Sequence, residues 1–80
     1  MRLGDIEFRY SKSNEKHELV QWLPPDERIC IVIAFFVKHK EGYDMKIIND
    51  RFFQDDHAWI VGKHAFAFLN ATFEVEKNNV

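Results

Sequence analysis

Ile6, Phe8 and Tyr10 alternate with Glu7 and Arg9, the period-two pattern of a half-buried strand. The small polar residues Ser11 to Lys16 supply a turn. A second strand runs from His17 to Leu23 and ends at Pro24 and Pro25, because proline has no amide proton for a ladder. From Ile29 to Val37 the chain is apolar without a break, and its β-branched and aromatic residues predict a third strand over Arg28 to Lys38. Gly42 suits a left-handed turn position, so a tight hairpin into a fourth strand, Tyr43 to Asp50, follows.

After Phe53 the period changes. Trp59, Val61, Gly62, Ala65, Phe66, Phe68, Leu69 and Phe73 fall on about half of a helical wheel, with Lys63, His64 and Asn70 opposite. This predicts one amphipathic helix over about residues 56–71. Asp55 and Asp56 are placed to cap it and to complement its N-terminal partial charge. A strand over residues 64–73 is the rival reading, since Phe66 and Phe68 also alternate. Gly62 costs about 1 kcal/mol in a helix interior but lets the helix approach a sheet closely. Phe73 to Glu76 reads as a short last strand, and Lys77 to Val80 as a loose tail.

The elements add up to a single α+β domain over residues 1–80, an antiparallel sheet of about four strands packed on one C-terminal helix. Strict alternation along the third strand sends Ile29, Ile31, Ile33, Phe35 and Val37 one way and Cys30, Val32, Ala34 and Phe36 the other. One helix covers one face. Val32, Ala34 and Phe36 are then left on the free face, where apolar area contributes about 25 cal/mol per Å² when it is covered. Another copy of the chain, a different protein, or the N-terminal strand curling over are the three coverings.

Composition narrows the partners. The net charge is −2 and the pI about 6.0, which provides no basic field for nucleic acid. Cys30 is the only cysteine, so no internal disulfide forms and a reducing cytoplasm is the expected compartment. The charged N-terminus lacks the apolar core of a signal peptide, and the apolar run is too short for the roughly 20 residues of a membrane helix.

Candidate chemistry is thin. His57 and His64 stand about two helical turns apart and cannot share a metal ion. Cys30 lies in the apolar strand, where a thiol is inert. Asp55, Asp56 and His57 place two carboxylates beside an imidazole, but acids at a helix start are ordinarily caps. Gly4, Gly42 and Gly62 stand alone, so no phosphate loop is formed. The expectation is therefore no catalytic residue, no cofactor and no metal.

Two blocks, residues 30–53 and 58–76, resemble small uncharacterised proteins of phages and prophages. The shared pattern is an apolar strand leading into Glu41-Gly42-Tyr43, then Asp50, Arg51 and Phe52, then a Trp59-led helix ending in Leu69, Ala71, Phe73 and Glu74. The resemblance implies a phage-related origin and carries over no functional residue. The expected function is a non-enzymatic interaction protein that binds a host protein and inhibits it, for example a defence component, as an anti-CRISPR protein does, or a replication component. The alternative is a structural or regulatory homodimer using the free sheet face, broken by Phe36→Asp with the fold intact; a small enzyme is the third reading. Partner-binding residues are expected at Trp22, Phe36, Glu41, Tyr43 and Asp44.

Overall fold

The computed structural model describes residues 1–54 and 56–78. Strands β1 (Arg2–Leu3), β2 (Ile6–Ser11), β3 (Lys16–Trp22), β4 (Cys30–His39) and β5 (Gly42–Ile47) precede a short 3-10 helix, Asp50–Gln54, and helix α1, Asp56–Asn78. The strands form one antiparallel sheet in chain order, and α1 lies across one of its faces. The α+β class stands, with five strands rather than four. The added strand is β1, too short to show a period. It is held by the Phe8 amide donating to the Met1 carbonyl at 2.9 Å, with Gly4 turning at φ +59°. A Cβ at Gly4 would lie 2.7 Å from His57 Nδ1, so the turn also lets the start of α1 come close.

Helix α1 continues through Phe73–Glu76, where a last strand was expected. Once a helix is nucleated, each added residue contributes its own hydrogen bond at low cost, and residues 63–78 contain neither proline nor glycine. Lys77 in the last turn also complements the helix dipole. Asp56 opens the helix; Asp55 lies outside the described residues.

Ala58, Val61, Gly62, Ala65 and Leu69 are buried against the sheet. A Cβ on Gly62 would stand 3.3 Å from Met45 Sδ and 3.7 Å from Leu19 Cδ2, which is the close approach that its sequence position implies. Asn70 fastens α1 to the edge strand: its Oδ1 accepts from the Tyr43 amide at 2.8 Å, and its Nδ2 donates to the Tyr43 carbonyl. Trp59, Phe66 and Phe68, expected on the buried half of the helix, are exposed. A flat sheet touches only a stripe of a cylinder, so apolar residues at the margins of a half-wheel remain in water.

The decisive feature of the sheet is a bulge in β4. Leu19 pairs with Ala34 but Val20 pairs with Val32, so Ile33 has no partner in β3. Ile33 and Ala34 are both fully buried, consecutive residues turned to the same side. A bulge of this kind leaves one residue unpaired and resets the alternation beyond it. The Ile33 carbonyl accepts from the amides of Ile48 and Asn49, at 2.8 and 3.2 Å, and Asn49 Nδ2 donates to the Val32 carbonyl at 2.9 Å. The chain leaving β5 thus fastens the irregularity.

The consequence corrects the assignment of faces. Ile31 and Ile33 face α1 before the bulge, and Ala34 and Phe36 face it after; Phe36 is 2% exposed and meets Phe8 edge-on, ring centroids 5.4 Å apart. Of the three residues expected on the free face, only Val32 is there. Phe35 and Val37, expected beneath the helix, take the places of Ala34 and Phe36.

Candidate protein interface on the free sheet face

Alternation from the observed registers puts Glu7, Arg9, Glu18, Val20, Trp22, Cys30, Val32, Phe35 and Val37 on the face that α1 does not cover. Across the strands, Trp22 stands beside Cys30, Val20 between Glu7 and Val32, and Glu18 between Arg9 and Phe35. Asp44 and Lys46 of β5 border Val37 and Phe35. The face is a row of half-buried apolar and aromatic side chains, Trp22, Val32, Phe35 and Val37, interrupted on β3 by Glu18 and bordered by Glu7, Arg9, Asp44 and Lys46.

One carboxylate in it is buried: Glu18 is 1% exposed. Arg9 compensates it, with Nε donating to Glu18 Oε2 at 2.9 Å, and Asn14 Nδ2 donates to Oε1 at 3.3 Å. A buried charge is tolerated only when paired and hydrogen-bonded. The Glu18 hydrogen bond in turn holds Arg9 charged, its pKa raised above the ordinary guanidinium value despite the opposing effect of burial.

Arg9 also reaches along the sheet. Its Nη2 donates to Cys30 Sγ at 3.4 Å, and its guanidinium carbon lies 5.6 Å from the Trp22 ring centroid. Between the rows of Glu18 and Cys30 lies the row of Val20, so the guanidinium spans it, and Val20 is fully buried although no strand or helix among the described residues covers this face. Long polar side chains pave the sheet with their stems while keeping their heads wet.

Trp22 is held from several directions. The Arg2 guanidinium carbon lies 5.9 Å from its ring centroid, and Nε1 donates to Glu7 Oε1 at 3.0 Å. Arg2 is anchored by Glu27 and by the Gly4 carbonyl. Cation–π contacts and the indole hydrogen bond both fix the ring. Trp22 was expected at an interface, and no pattern in the sequence singles out its grip by Arg2, Arg9 and Glu7. The alternation of Glu7 and Arg9 with Ile6 and Phe8 did mark both as turned away from the core.

The five residues expected to bind a partner do not converge. Trp22 lies at one end of the free face, Asp44 borders its other end beside Val37, and Phe36 is in the core. Glu41, Tyr43 and Asp44 sit at the β4–β5 hairpin, where with His39 and Asn70 they line an open recess of about 530 Å³. Tyr43 packs edge-on against Phe73 of α1, and Asp44 lies 2.9 Å from His39 Nε2. Gly42, at φ +146°, has no room for a Cβ, which would meet Asn70 Oδ1 at 2.6 Å.

The other candidates are also dispersed. Cys30 is half-buried beneath Arg9, His57 faces the Gly4 turn, and His64 is exposed on α1. Among the described residues no group of histidine, cysteine, aspartate and glutamate side chains is placed to hold a metal ion. No helix among them is long and apolar enough to cross a membrane. No protein-family model, no curated protein and no solved structure matches the chain.

Proposed function

We propose that the protein is a non-enzymatic interaction protein that occludes a surface of a protein partner with its free sheet face. The observation that carries this is Trp22, at one end of an uncovered sheet face, clamped by Arg2, Arg9 and Glu7, with Val32 in the next row and Phe35 and Val37 further along the same face. Tryptophan and arginine are the residue types that dominate binding energy at interfaces. A ring already fixed loses little conformational freedom on binding. The phage-related setting that the sequence resemblance implies makes the partner a host protein, and occlusion of a defence or replication component needs no catalytic group.

The test compares capture from a bacterial lysate by the wild-type protein, Trp22→Ala and Val37→Asp, with circular dichroism confirming that each variant is folded. The expected result is one host protein enriched by the wild type and lost with both variants. A host protein retained by both variants overturns the site, and no host protein enriched by the wild type overturns the reading.

A further inference from the structure

Helix α1 has a second surface. Asp56, Ile60, Lys63, Ala67, Ala71 and Glu74 recur at spacings of three and four, all exposed, on the line that points away from the buried residues Ala58, Val61, Ala65 and Leu69. Small alanines occupy the centre of that line. Larger apolar side chains flank it, Phe66 and Trp59 on one side, Phe68 and Val75 on the other. Ile60, Phe68 and Val75 are 45, 57 and 61% exposed. A helix that needed only to cover the sheet would carry polar residues here.

The charges along this line say what fits it. Asp56 stands at the N-terminal end, then Lys63, then Glu74, and Lys77 follows in the last turn, to the Trp59 side of the line. Among the described residues none of these four forms an ion pair within the chain. When the helix is laid antiparallel on a copy of itself, Lys63 falls opposite Glu74 and Asp56 opposite Lys77, and both pairs centre within two residues of Ala67. A parallel pairing instead sets Lys63 on Lys63 and Glu74 on Glu74, which costs affinity. At a shared centre next to Ala67 each pair is displaced by about two residues, about 3 Å along the axis, which a lysine side chain spans, so the pattern is self-complementary to within that displacement, as a two-fold interface requires.

We propose that the chain forms a two-fold homodimer through α1, antiparallel, with its axis beside Ala67. The alanines at 67 and 71 let the helix backbones come close. This interface is on the opposite side of the molecule from the free sheet face and does not depend on the function proposed for that face. It leaves two copies of the Trp22 face turned outward, so that a partner presenting two sites would be held with avidity.

The test is sedimentation velocity on the full chain across a concentration series up to millimolar, with circular dichroism confirming the fold of each variant. The wild type is expected to dimerise. Lys63→Glu and Glu74→Lys each set two pairs of like charges in contact and weaken the dimer about tenfold, whereas the double variant restores the pairs with reversed sign and recovers it. In a Cys30→Ser background, Ala67→Cys cross-links to itself on oxidation. Ile60→Cys does not, because the two copies of that position lie about 20 Å apart along the axis. A monomer at every concentration overturns the proposal. So does a double variant no better than the singles, cross-linking by Ile60→Cys as strong as by Ala67→Cys, or a dimer lost with Val37→Asp and retained by the helix variants.

Discussion

The two faces of the sheet are built from the same five strands and bury side chains by different means. Beneath α1 the contacts are aliphatic and aromatic: Ile6, Leu19, Ile33 and Phe36 meet Ala58, Val61, Ala65 and Leu69 at full burial. On the other face, Val20 and Glu18 are buried beneath the side chains of the sheet itself, with Arg9 bridging Glu18, Cys30 and Trp22. The first arrangement is closed, and loses stability through cavities. The second is open to solvent above the guanidinium, and loses stability through unpaired charge.

The sharpest break of this comparison is at Phe36. Its truncation to alanine should cost about 3–5 kcal/mol in urea denaturation, the loss expected for a large core side chain, and Phe36→Asp should leave the chain unfolded. Phe36→Asp is therefore not a test of self-association. The neighbouring Phe35→Ala, on the free face, should cost much less; equal losses at the two positions would show that the bulge does not divide them.

Arg9→Ala should cost about 2 kcal/mol, below the 3–5 kcal/mol of a fully buried pair because Arg9 retains contact with water. The double change Arg9→Met with Glu18→Leu should recover most of that loss, since an apolar pair needs no compensation. Failure to recover would mean that Arg9 acts through its packing on Trp22 and Val20 rather than through Glu18. Asn49→Ala, which removes the side-chain bond to the Val32 carbonyl, should cost about 1 kcal/mol. Amide exchange at Ile48 and Asn49 should quicken in the same variant, locating the loss at the bulge.

The smallest effect is titration of His17, on the helix-facing side. It stacks on Phe8 and meets Tyr10 and Tyr43 edge-on, and its Nδ1 is buried without a hydrogen-bond partner among the described residues. Burial pushes its pKa below the ordinary value. The unfolded chain then takes up the proton first, so this group's contribution is intact above the unfolded value, about 6.5, and is lost as pH falls from there toward the folded one. His17→Phe should flatten the stability profile across that window. An unchanged profile would assign the slope to carboxylates.

Much of the fold was legible because local rules and tertiary packing agree. The alternation of Ile6 to Tyr10 marks β2, Gly42 marks the hairpin, and Gly62 marks the place where α1 meets Leu19 and Met45. The end of α1 was not legible. Phe73-Glu74-Val75-Glu76 has the period of a strand, but a helix already formed extends through it, and Phe73 finds Tyr43. The candidate interface was legible only in part. Trp22 was expected there, whereas Phe36 was expected on the wrong side and Arg9 was not singled out.

What the sequence by itself determined is four of the five strands, the C-terminal helix, the antiparallel class of the sheet and the existence of one buried and one free sheet face, because hydrophobic period and turn chemistry are local. Which residues occupy the free face was decided only in the tertiary structure. A continuous apolar run from Ile29 to Val37 carries no polar residue to mark its sides, so a one-residue slip exchanges one apolar set for another. The bulge at Ile33, held from β3 on one side and from Ile48 and Asn49 on the other, chooses between them. That choice puts Phe36 in the core and leaves Phe35 and Val37 beside Val32 on the face that carries Trp22.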